Sequence, residues 1–181
     1  MDSFLDLAIQ RQSDRAFDSN RAIEPEKLER ILQAARIAPS ACNAQPWKFI
    51  VVNEPELKNK VADAAMGKIM KINHFTKQAP VHIVIVEEKK NISSAFGAWA
   101  TNRNFALIDI GLAVGQLVLA AEDEGIGSCI LGWFEEKKMQ KLLNIPSDKR
   151  IVLDIVLGYS VQPKREKKRK QMEEVVSYNK Y

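Results

Sequence analysis

Four short stretches carry side chains suited to holding a flat, charged ligand. The first is RQSDR (11–15), at the end of a short amphipathic segment. If the chain leaves its helix there, a period of two puts Arg11, Ser13 and Arg15 on one side. Two guanidiniums and a hydroxyl suit a phosphate or the carbonyl oxygens of a ring, because each guanidinium offers paired donors. Alone, the segment reads as well as a solvated charged turn. The second is PSACNAQPW (39–47), between a helix and a strand. Small side chains let a flat ligand approach its backbone, and Ser40 and Asn43 offer short-reach donors and acceptors for a heteroaromatic edge. Pro39 and Pro46 reduce the conformational freedom the loop must lose. An irregular helix-to-strand turn explains the same residues.

The third stretch is GIGSCILGW (125–133), whose exposed backbone N–H groups could meet a ring nitrogen, and whose Gly125 also reads as a helix C-cap. The fourth is the basic run PKREKKRK (163–170). There Lys167 and Arg169, two apart, can complete a phosphate site with Arg11 and Arg15, or belong to a solvated run.

The elements that must position these stretches follow from hydrophobic spacing. Residues 3–12 place Leu5, Ala8, Ile9 and Gln12 on one side of a short helix. Pro25 opens a helix over 25–38, with Leu28, Ile31, Leu32, Ala35 and Ala38 at helical spacing, and Pro39 stops it. WKFIVV (47–52) and VHIVIVE (81–87) read as strands. Between them Pro55 opens a helix with Leu57, Val61, Ala65 and Ile69 inward. Residues 92–103 are ambiguous. From Asn104 to Glu124 the chain is apolar nearly all round, which marks a buried central helix. Its GLAVG (111–115) favours close packing against another helix. SCILGWF (128–134) is a short strand or loop, EEKKMQKLLNI a short helix and RIVLDIVLGYS (150–160) a long strand. This order describes one α+β domain with a tail whose Val175, Val176 and two Tyr suggest docking, for instance on a second subunit.

Several function classes fall away. A chain of 181 residues is enough for one domain with a sizeable core, or for two very small ones. There is no GxxxxGK[ST] and no GxSxG. The glycines of 125–132 follow a helix and precede a strand, the reverse of a dinucleotide-binding turn. Two distant cysteines make no CxxC or disulfide framework, and two histidines are too few for a His-based metal cluster, so no metal is expected. His82, within a strand, reads as a packed residue. The net charge is +4, yet PKREKKRK alone holds six Lys/Arg and one Glu, leaving about −1 for the rest. Basicity confined to one stretch argues against a nucleic-acid platform. The apolar run 107–121 contains Asp109 and Gln116 and is shorter than the ~20 residues of a membrane span. The N-terminus lacks a signal-peptide pattern. The expectation is a soluble, cytoplasmic protein with no membrane partner.

The order helix, RxSxR, amphipathic helix, PSxxNxQPW, strand, apolar helix, GxGSxxxG, strand and basic tail resembles the FMN-dependent nitroreductase family over nearly the whole chain. The segment RKQMEEVV (169–176) resembles that family's closing segment. The resemblance implies a single domain over 1–181: an α+β sheet flanked by helices with a long buried central helix, built as an intertwined homodimer. The extension 161–181 then docks on the partner subunit, and FMN lies at the interface. It implies that Arg11, Ser13 and Arg15 bind the FMN phosphate and the polar edge of the ring, with Gln12 contributing through its backbone. Pro39, Ser40, Ala41 and Asn43 match the segment reaching the flavin from the partner. Ile130, Leu131 and Gly132 match the loop against the isoalloxazine, and Lys167 and Arg169 the C-terminal phosphate ligands. The chain departs from the family at Ala41, often a second Ser, and at Lys168 and Gln171, often Pro. The interval 55–104 is short for a large helical lid.

The implied activity is ping-pong oxidation of NADH or NADPH with reduction of nitroaromatics, quinones or related conjugated acceptors, without a catalytic side chain. The alternatives are a flavin-binding protein of low turnover, and a binding protein using its basic tail.

Overall fold

Side-chain alternation in two strands sets the architecture. The computed structural model describes residues 3–67, 73–88 and 103–181. Strands β2 (Val81–Glu87) and β4 (Arg150–Gly158) pair antiparallel at the centre of a four-stranded sheet ordered β1-β2-β4-β3. Strands β1 (Trp47–Val52) and β3 (Gly127–Leu131) form its edges, also antiparallel to their neighbours. Because successive residues point to opposite faces, Val81, Ile83 and Ile85 enter one core, and Val84 and Val86 enter another. Both faces are covered, which is why β2 is an unbroken apolar run rather than an alternating one.

Helices α2 (Pro25–Arg36) and α4 (Phe105–Asp123) cover the first face. Helix α3 (Pro55–Met66), a 3-10 turn at His74–Gln78 and helix α5 (Glu136–Leu142) cover the second. Pro25 and Pro55 open their helices, as the missing N–H is not needed there. Glu54 caps α3 by accepting from the N–H groups of Glu56 and Leu57, which holds its carboxyl below the usual range. Gly125, at φ +72°, turns the chain out of α4. Of the sequence expectations, Ile69 and residues 92–102 lie outside the described residues.

On the second face His82 and Asp154 are fully buried and joined, Nδ1 to Oδ2, at 2.9 Å. The other ring nitrogen, Nε2, lies 3.3 Å from the Thr76 carbonyl oxygen. His82 is thus a packed residue bracing the two central strands, well inside the sheet.

Helix α4 divides differently from its sequence, which is apolar nearly all round. Ala106, Asp109, Ile110, Ala113, Leu117 and Ala121 are buried against α2 and the sheet. Leu107, Ile108 and Leu112 are about half exposed, and a Cβ at Gly111 or Gly115 would meet nothing within 4 Å. Among the described residues nothing packs on the two glycines of GLAVG, while Ala113 and Val114 between them are buried in the core. At 19 residues with mean hydropathy 1.7, α4 is long and apolar enough, by length and composition, to cross a membrane. It serves here as the core helix. Helix α1 (Phe4–Gln10), started by a Ser3–Asp6 capping box, packs beside α4 and exposes Phe4, Leu5 and Ile9. The two helices share an uncovered apolar surface.

Candidate functional site

The site begins where α1 ends. Past Arg11 the chain is extended, and Ser13 forms a parallel bridge with Ser128 on the free side of edge strand β3. The Asp14 N–H donates to the Ser128 carbonyl at 2.9 Å. Extension imposes the period of two: Gln12 and Asp14 are buried, while Arg11 and Ser13 are half-buried and Arg15 is exposed. The buried pair forms a knot. Asp14 Oδ1 accepts from Gln12 Nε2 at 2.8 Å and from Ser160 Oγ at 2.7 Å. Room for this carboxylate comes from Gly127, where a Cβ would stand 2.8 Å from Asp14 Oδ2.

The tail then runs back antiparallel along residues 10–17. Ser160 bridges to Phe17, and the Val161 N–H donates to the Ala16 carbonyl at 3.2 Å. Gln162 Oε1 accepts from the Arg15 N–H at 2.6 Å. Gln12 is the hub: its Nε2 donates to the Pro163 carbonyl at 3.2 Å, and its Oε1 accepts from the Arg165 N–H at 3.1 Å. Arg165 Nη2 donates to the Ser13 carbonyl at 2.6 Å, Lys167 Nζ to the Arg11 carbonyl, and Lys164 Nζ to the Gln10 carbonyl. Basic side chains thus close on backbone oxygens and seat the tail on the first segment.

Between the two segments lies a cavity of about 340 Å³ lined by Arg11, Gln12, Ser13, Arg15, Arg165, Glu166, Lys167, Lys168 and Arg169. Six cations face one carboxylate there. Burial, and then the neighbouring Arg11 and Arg169 guanidiniums, hold the Lys167 ammonium below the ordinary lysine range. Such a crowd of like charge suits an anion such as a phosphate. Arg15 and Arg165 also pull on the Cys129 thiol behind β3, but burial outweighs them and raises it.

The other sequence candidates lie elsewhere in the chain. Ile130, on β3 beyond Ser128, is 42% exposed and Gly132 is exposed at the strand end. Leu131 is buried in the second core, so only its backbone is left to face a ligand. Pro39, Ser40, Ala41 and Asn43 do not line the cavity of their own chain. Their loop is a compact turn. Ser40 Oγ accepts from the Gln45 N–H at 3.0 Å, and the Asn43 N–H donates to the Ser40 carbonyl at 3.0 Å. Cys42, Asn43 and Gln45 have φ of +52°, +50° and +45°, unusual for residues with side chains. Pro46 and Trp47 behind the turn are buried, and the Trp47 ring stacks on Phe49 with centroids 6.3 Å apart.

Sequence reasoning missed Arg165 and Gln162. The basic run was visible, but only the position of Gln12 decides which of its members turn inward.

Residues 8–159 match the nitroreductase family. The chain is 35% identical over 172 residues to a putative NADH dehydrogenase/NAD(P)H nitroreductase of Archaeoglobus fulgidus, covering 92% of this chain and 89% of that one. Among solved structures it resembles a nitroreductase family protein from Clostridium novyi NT, with 33% identity, TM-score 0.75, and 88% and 86% of the two chains covered. It also resembles an FMN-dependent nitroreductase from Clostridium difficile R20291, with 26% identity, TM-score 0.78, and 98% and 99% covered.

Proposed function

Since the chain belongs to the nitroreductase family, we propose that it is an FMN-dependent NAD(P)H oxidoreductase that reduces nitroaromatics, quinones or related conjugated acceptors. The observation that carries this reading is the cavity where six cations meet one carboxylate, one of whose lining residues, Ser13, bridges the free edge of β3. It fits a phosphate-bearing cofactor. Arg11, Ser13 and Arg15 would hold the phosphate and the polar edge of the ring, with Lys167 and Arg169 on the phosphate. Ile130, the Leu131 backbone and Gly132 would lie against the ring. Pro39, Ser40, Ala41 and Asn43 would come from a second copy.

When bound, FMN would supply the redox chemistry for ping-pong hydride transfer between NADH or NADPH and the acceptor. The chain's own groups bind and orient. The cluster of cations favours negative charge on whatever it holds. No side chain is assigned as a general acid, since water or the flavin itself can supply protons. The direct test is steady-state oxidation of NADH or NADPH by flavin-loaded protein with a quinone or nitroaromatic. Turnover that rises with the acceptor supports the enzyme, and flavin binding without turnover favours a flavin-binding protein of low activity. Arg15→Ala is expected to weaken FMN binding about tenfold to a hundredfold, as a charge-assisted hydrogen bond is worth about 1.5–3 kcal/mol. Fluorescence titration measures this, and unchanged affinity removes Arg15 from the site.

The working unit in this reading is a cytoplasmic homodimer, without metal, nucleic acid or membrane. The support is the uncovered apolar surface of Phe4, Leu5, Ile9, Leu107, Ile108 and Leu112. The single domain's extension 161–181 ends in exposed Met172, Val175, Tyr178 and Tyr181, which would dock on the partner. Leu112→Asp is expected to reduce the mass in solution, by light scattering, from two chains to one. A variant that keeps the mass of two chains moves the interface off α4.

A further inference from the structure

We propose that Asp109 is the positioning residue of the 39–45 loop, fixing from α4 the backbone that meets the flavin edge. The inference rests on the flavin reading above. Asp109 is a carboxylate only 4% exposed within a largely apolar helix. A charge is costly there unless hydrogen-bonded. Its two oxygens both lie 3.1 Å from the Ala41 nitrogen, whose N–H they share. Ala41 is the first residue of the turn, directly before the left-handed residues Cys42 and Asn43.

The turn's own hydrogen bonds run from donors on Asn43, Ala44 and Gln45 to acceptors on Ser40, Ala41 and Asn43, so they shape the turn without placing it. Asp109 reaches it from 68 residues away and ties it to the core. What the turn offers to a ligand follows. Ser40 Oγ accepts from the Gln45 N–H, which leaves its own hydrogen to donate. Asn43 Oδ1 accepts from Gln45 Nε2 at 3.1 Å, which leaves its amide N–H groups to donate. Two such donors in one turn suit carbonyl oxygens on a ring edge. Asp109 shares α4 with Leu107, Ile108 and Leu112, so one helix carries both the apolar surface and the anchor of the loop.

The role concerns the ring and not the phosphate, which gives a test separate from activity. Binding of FMN and of riboflavin, which lacks the phosphate, is measured by fluorescence titration on the full-length wild type, Asp109→Ala, Asp109→Asn and Ala41→Pro. Ala41→Pro removes the donor and keeps the carboxylate, and Ser40 at φ −146°, ψ 150° already has a conformation that a following proline accepts. Asp109→Ala and Ala41→Pro are expected to weaken both flavins by the same factor, tenfold or more. Asp109→Asn keeps an acceptor oxygen and should restore binding to within about threefold of wild type. Arg169→Ala, at a phosphate ligand, weakens FMN alone. If Asp109→Ala unfolds, Ala41→Pro and Asp109→Asn carry the test. Wild-type affinity for both flavins in Ala41→Pro, or a loss confined to FMN, overturns the role of Asp109 and leaves the flavin reading intact. A wild-type protein that binds neither flavin overturns both.

Discussion

A chain ending at Gln162 will lose its FMN. Removal of residues 163–181 takes away Arg165, Lys167, Lys168 and Arg169, four of the six cations around the cavity. The segment holds seven Lys/Arg and three Glu, so the loss equals the whole net charge of +4. Two charge-assisted hydrogen bonds at about 1.5–3 kcal/mol each correspond to roughly two to four orders of magnitude in affinity. The loss compounds, because Gln12 gives up its partners on Pro163 and Arg165. The family match ends at residue 159, so this tail's part in the site rests on the contacts made in this chain. FMN titration of the truncated protein measures the effect. A truncated protein that holds FMN as tightly as the full chain would show that Arg11 and Arg15 suffice.

The second large effect is on stability. Asp154→Ala is expected to cost about 3–5 kcal/mol, the usual consequence of removing one partner from a buried pair. His82 would remain fully buried between β2 and β4 with its Nδ1 facing an emptied site. Replacing both residues with apolar ones, as in His82→Leu with Asp154→Val, should recover much of that loss, since no unpaired polar group remains. Denaturant unfolding gives both values from the midpoint at unchanged slope. A loss below about 1 kcal/mol for Asp154→Ala would mean that water or a rearranged Thr76 carbonyl satisfies His82. FMN affinity should not change in either variant, because the pair lies outside the proposed site.

What could be read in the sequence divides along physical lines. Strands β1 and β2 were legible to the residue, because runs rich in β-branched residues follow Trp47 and Pro80. The alternation of Arg11, Ser13 and Arg15 was legible because an extended chain puts every second side chain on one side. Helix α4 was legible as a helix but not as a two-sided one. An apolar face turned to a sheet and an apolar face left uncovered have the same composition. Asp109 appeared only as a break in hydrophobicity, and its bond to Ala41 spans 68 positions that no local pattern connects. The left-handed backbone at Cys42 was hidden for a related reason: glycine usually marks such a site, and here the loop's hydrogen bonds impose it. In PKREKKRK six cations look alike, and Gln12 picks out Arg165 only once the chain has folded.

The most direct measurement is the absorbance spectrum of the protein from 300 to 550 nm, after incubation with FMN and removal of excess, before and after anaerobic addition of NADH or NADPH. The account predicts a retained flavin band that bleaches on addition of the nucleotide and returns when a quinone or nitroaromatic is supplied. A protein that retains no flavin, or a band that neither nucleotide bleaches, would contradict it.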